Sequence, residues 1–166
     1  MSPQPTGRVV QTSAGADLIL TRTFRADIGD VWKSVTDSAY TARWFGRWEG
    51  DAGPGKSVTL YMGFEKDAAP AQVLIETCLP PRQLALSMKD AYGDWHLAIS
   101  LDQSGEVTTL TFVHHLTDTK SVGDTGPGWE YYLDMLVASR NGEPLPKFDD
   151  YYPAQRDYFV AQSAKQ

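Results

Sequence analysis

The sequence predicts an α+β fold: a curved antiparallel sheet of six to seven strands, two short helices after the first strand, and a long C-terminal helix packed across the concave face. Two observations carry this. From Val58 to His115 the apolar residues alternate with polar ones in short runs separated by turn clusters, which is the period of half-buried strands joined as hairpins. Near the C-terminus, in the stretch GDTGPGWEYYLDMLVASRNG, the residues Trp129, Tyr132, Leu133, Leu136 and Val137 fall at the spacing of one helix face. A helix with so large an apolar stripe needs a sheet to lie on.

The elements follow in order. The opening MSPQPTGRVVQTSAG lacks the charged-then-apolar layout of an export signal and reads as a flexible arm over residues 1–16, with a cytoplasmic address. Leu18, Leu20, Arg22 and Phe24 share one face of a first strand, and Arg22 is a cation on that face that must find a partner. Asp27 caps a first short helix with Asp30 in its first turn, and Ile28, Val31, Trp32 and Val35 form its apolar stripe. A second short helix over residues 38–45 stops at Gly46, and residues 50–55 form a Gly/Pro turn cluster.

Beyond that cluster, Val58, Leu60, Met62 and Phe64 alternate, Glu65 to Ala69 turns, and Val73, Ile75 and Thr77 begin another strand. Pro80 and Pro81 end it. Leu84, Leu86 and Met88 follow, then a turn at Tyr92-Gly93-Asp94, then Trp95, Leu97, Ile99 and Leu101. Ser104-Gly105 closes a last hairpin into a strand with Leu110, Phe112 and His114 on one face. Pro127 marks the first turn of the long helix, and Gly142 with Pro144 and Pro146 ends it. The main domain is expected over residues 17–142, with an extension over 143–166 docked through aromatics such as Tyr158 and Phe159.

Composition narrows the function. At 166 residues the chain suits one domain with a real core. Its net charge of −6 disfavours nucleic acid, which is held by cationic contacts, and no apolar run is long enough for a membrane span. The lone Cys78, in an apolar strand, reads as a small packed side chain. His114 and His115 point to opposite faces of a strand, and His96 is out of phase with Trp95 and Leu97, so no metal site is expected. Phosphate loops, nucleophile elbows and metalloprotease helices are missing from the sequence, and no cofactor is expected. The acids Glu130, Asp134, Asp149 and Asp150 read as solvated. Five tryptophans, eight tyrosines and six phenylalanines remain, and Trp44, Trp95 and Trp129 come from three elements that converge under the long helix. An apolar pocket between helix and sheet is the expected consequence.

Three stretches, RTFRADIGDVWKSVTDSAYTARWFG, LPPRQLALSM and HHLTDTKSVGDTGPGWEYYLDML, resemble the branch of the START and birch-pollen-allergen-like (SRPBCC) superfamily named after the activator of the heat-shock-protein-90 ATPase. The resemblance spans Asp17 to Asn141. It implies a helix-grip fold whose members bind hydrophobic small molecules under the last helix, some of them cyclising polyketides and some contacting a chaperone. The first expectation is therefore binding of a lipid-like or aromatic molecule, lined by Trp44, Phe64, Trp95, Leu97, Phe112, His114, Trp129, Tyr132, Leu133 and Leu136. A second is a cyclase or aromatase that uses His114 or Arg22 on a carbonyl. A third is a co-chaperone surface. A homodimer is compatible with each, and Glu76 or Glu130 is the expected partner of Arg22.

Overall fold

The computed structural model describes residues 2–90 and 93–164. One antiparallel sheet carries eight strands: β1 (Arg8–Thr12), β2 (Gly15–Phe24), β3 (Gly46–Glu49), β4 (Ser57–Met62), β5 (Ala71–Leu79), β6 (Gln83–Asp90), β7 (Gly93–Ser104) and β8 (Val107–Leu116). Their spatial order is β1-β2-β8-β7-β6-β5-β4-β3, so β3 to β8 form a meander and β2 closes onto its last strand. The count of eight exceeds the six to seven expected, and two strands, β1 and β3, lie where none was expected. β1 arises within the stretch expected to be a flexible arm, where Val9 pairs with Leu18 and is buried. β3 is a short edge strand on β4, following the second helix. Part of the turn expected at Tyr92-Gly93-Asp94 lies outside the described residues.

Two helices separate β2 from β3. In α1 (Ile28–Thr36), the Asp27 side chain accepts the Gly29 N–H at 3.0 Å, and in α2 (Ser38–Thr41) Asp37 does the same for Ala39. The last carbonyls of α1 lack intrahelical partners. Two indoles supply them: Trp44 Nε1–H donates to the Ser34 carbonyl at 2.9 Å and Trp48 Nε1–H to that of Thr36 at 2.8 Å. α2 is shorter than the expected helix over residues 38–45.

The long helix α3 spans Val122–Asn141 and ends at Gly142, whose φ of 67° is the left-handed conformation glycine adopts without strain. It begins earlier than expected, and Pro127 lies inside it rather than in its first turn. The cause is packing. The final helix α4 (Arg156–Ala164) presses Phe159 onto Gly126, where an added Cβ would stand 2.4 Å from the ring, and Val160 approaches Gly123. Close helix approach at these glycines offsets their poor helix propensity.

The sheet register sorts the side chains into rows on the face covered by α3. One row runs Ile75–Leu86–Leu97–His114–Leu18–Val9 across β5, β6, β7, β8, β2 and β1. A neighbouring row runs Val58–Val73–Met88–Trp95. A single imidazole thus interrupts an otherwise aliphatic row at the middle of the sheet.

Candidate functional site

Trp129, projecting from α3, is the hub of the inner face. Its ring centroid lies 4.5 Å from Phe112, 6.1 Å from Phe45, His114 and Tyr132, and 6.2 Å from Trp95. Its Nε1–H donates to His114 Nδ1 at 3.1 Å. An indole can only donate, so Nδ1 is the acceptor nitrogen and the proton of the neutral imidazole sits on Nε2. Burial chiefly, with the His115 and His96 charges adding to it, lowers the His114 pKa to about 4. The ring is therefore neutral at physiological pH. Trp95 stacks on it at 5.0 Å with an interplanar angle of 19°.

Of the residues expected to line a site, Trp95, Leu97, Phe112, His114, Trp129 and Tyr132 meet on this face, with Leu133 and Leu136 of α3 fully packed in the core. Trp44 is buried nearby, but its N–H caps α1. Phe64 stands apart: it follows the end of β4 and is 36% exposed. Tyr132 reaches the rim, where its hydroxyl donates to Glu65 in the loop after β4. Burial and that carboxylate raise the Tyr132 pKa, keeping the phenol protonated. His96 and His115 pair with each other on the opposite face, and His115 Nδ1 lies 2.7 Å from Asp17.

The inner face holds two clusters of buried apolar side chains, one under α3 and one on β4 to β6. Trp32, Phe45, Met62, Met88 and Ile99 pack against both, and each remains partly exposed. They form an accessible apolar seam between the clusters. Met88 is directly opposite Trp95 in the strand register, so the seam adjoins the Trp95–His114 stack. Met62, Met88 and Ile99 stand in the same alternating runs as the expected lining residues, but alternation alone does not say which inward side chains stay partly exposed.

Arg22 forms the ion pair expected of a cation on this face, and of the two expected acids the partner is Glu130, not Glu76. Its partners are Glu130 at 2.8 Å and Asp134 at 3.0 Å, and the remaining guanidinium hydrogens reach Thr6 Oγ1, the Thr21 carbonyl and the Glu130 carbonyl. Five donors meet five acceptors. Glu130, expected to be solvated, is 1% exposed, and its carboxylate also accepts the Thr6 N–H, the Thr6 hydroxyl and the Gly7 N–H. An open cleft of about 450 Å³ lies here, lined by Pro3, Gln4, Thr6, Arg22 and Asp134 among others. The charged side chains on its wall are already paired with one another.

A family model for activator of Hsp90 ATPase homolog 1-like proteins matches residues 25–139, most of the chain. The chain belongs to this family. Solved structures similar to this Hsp90-activator-like chain share its fold. The crystal structure of CalU16 from Micromonospora echinospora is 24% identical with a TM-score of 0.77, covering 96% of this chain and 97% of CalU16. A Bordetella parapertussis protein solved by NMR is 22% identical with a TM-score of 0.69, over 99% of this chain and 93% of its own. DynU16, a protein of the dynemicin biosynthetic locus, is 20% identical with a TM-score of 0.69, over 80% of this chain and 50% of its own. No curated protein matches the chain.

Proposed function

We propose that this member of the activator of Hsp90 ATPase homolog 1-like family has a helix-grip fold and binds a hydrophobic, aromatic or lipid-like small molecule between α3 and the sheet. The observation that carries the reading is the seam of Trp32, Phe45, Met62, Met88 and Ile99, apolar side chains left partly exposed between two buried clusters. Apolar surface of this kind on an inward face gains free energy when a ligand removes it from water, by roughly 25 cal/mol per Å². Its two methionines, unbranched and easily rearranged, suit a lining that adapts to a guest. The similarity to DynU16 supports a role beside small-molecule biosynthesis.

The test is tryptophan fluorescence during titration with sterols, fatty acids and aromatic polyketides. Trp32, Trp95 and Trp129 all lie at the seam or next to it, so a bound molecule changes the emission. Met88→Glu, which places a charge in the seam, should abolish the response while the far-ultraviolet circular dichroism stays that of the folded chain. Unchanged emission with every class of compound overturns the reading.

A further inference from the structure

Trp95 Nε1 is buried and has no hydrogen-bond partner. Its stacking neighbour His114 spends Nδ1 on Trp129, and among the described residues no hydrogen bond reaches the Nε2–H. Two N–H donors on rings 5.0 Å apart thus lack a protein acceptor beside a seam that is otherwise apolar, and of the two the Trp95 N–H is the buried one. A buried donor without an acceptor costs about 1–3 kcal/mol, and native interiors seldom leave one. An acceptor arriving with a ligand would offset that cost.

The electrical character of the spot narrows the acceptor. Both donors are neutral. Arg22, on the same face of the sheet, has every hydrogen committed to Glu130, Asp134, Thr6 and Thr21. A carboxylate or phosphate carried into this interior would be a buried charge without a counter-charge, which is strongly unfavourable. A carbonyl oxygen has two lone pairs, carries no net charge, and can accept from both rings.

We infer that Trp95 Nε1–H and His114 Nε2–H form a paired donor site for the carbonyl oxygen of an uncharged, ring-bearing ligand. This rests on the apolar seam being the binding site and adds which compounds it selects. The donors take the oxygen, and the seam takes the hydrocarbon.

Fluorene, fluorenone and fluorene carboxylate share one ring frame and differ in the group the donors would meet. Each is titrated into the full chain and followed by tryptophan fluorescence and by the indole N–H signals in a proton–nitrogen spectrum. Fluorenone should bind about fivefold or more tighter than fluorene, as one to two neutral hydrogen bonds imply. It should shift the Trp95 indole N–H downfield, where fluorene does not. Trp95→Phe keeps a ring and removes the donor; it should lower fluorenone affinity about fivefold and leave fluorene unchanged. Equal binding of fluorene and fluorenone with no indole shift overturns the donor site and leaves the hydrophobic-binding reading standing. Tighter binding of the carboxylate overturns the selection of an uncharged ligand. Failure of all three to bind, in wild type and variant alike, removes the binding reading and this inference with it.

Discussion

At the scale of single residues, the two buried ionisable side chains that matter are held by opposite means. Glu130 is surrounded by donors; His114 is neutral and accepts from an indole. Glu130→Ala would leave Arg22 with Asp134 as its one carboxylate partner and strand the Thr6 and Gly7 amides, so a loss of about 3–5 kcal/mol is expected in urea unfolding. A loss below 1 kcal/mol would mean that water replaces the carboxylate at little cost. For His114 the folded pKa of about 4 is below the usual 6.5, so the unfolded chain binds the extra proton first. The stability this contributes is complete above pH 6.5 and disappears as the pH falls towards 4, by about 3 kcal/mol. Comparing wild type with His114→Gln at pH 7.5 and pH 4.5 isolates that share from the carboxylates. Parallel losses in the two proteins would place the histidine in a more hydrated setting. Sequence could place His114 on the inward face, because alternation alone fixes it. It offered Glu130 as one of two acids for Arg22, but could not show that Glu130 is buried, because that depends on partners 108 and 124 positions away in the chain closing over it.

At the scale of elements, alternation and helical spacing disclosed the hairpin run and the body of α3, since each pattern is repeated several times within the element. They missed β1 and β3. β1 offers one deeply buried side chain, Val9, and β3 is four residues long, so neither repeats a period often enough to read; both exist because a neighbouring strand pairs with them. The start of α3 was misplaced for a related reason. Gly123, Gly126 and Pro127 look like a loop unless a second helix needs glycine there. Gly126→Ala should destabilise by about 1–3 kcal/mol, because the new methyl meets the Phe159 ring. Gly128→Ala has nothing within 4 Å of the added Cβ, and should stabilise by up to about 1 kcal/mol through helix propensity. Thermal unfolding of the pair gives opposite shifts if α4 is what fixes the glycine, and shifts of one sign if it is not.

At the scale of the whole molecule, the α+β class, the antiparallel sheet and the final long helix were legible, and the inner face was placed under α3 as expected. What stayed hidden was the division of that face into two packed clusters with a seam between them, which depends on how far α1, α2 and α3 each reach across the sheet rather than on any local pattern. Also hidden was the meeting of the chain's two ends. The Gln155 side chain donates to the Pro3 carbonyl at 3.1 Å, the Tyr158 hydroxyl donates to the Gly7 carbonyl at 2.8 Å, and Phe159 fills the space beside Gly7. With β2 hydrogen-bonded to β8 as well, the polypeptide comes back to its own beginning. Joined there by a short flexible linker, it becomes a ring that can be cut elsewhere. The exposed turn at residues 51–54, between β3 and β4, is the place to open it. Such a permuted chain should keep the native circular dichroism and the same response to ligand, with its new ends hanging from the sheet edge, whereas loss of folding would show that the meeting of the ends has to form in the original order of synthesis.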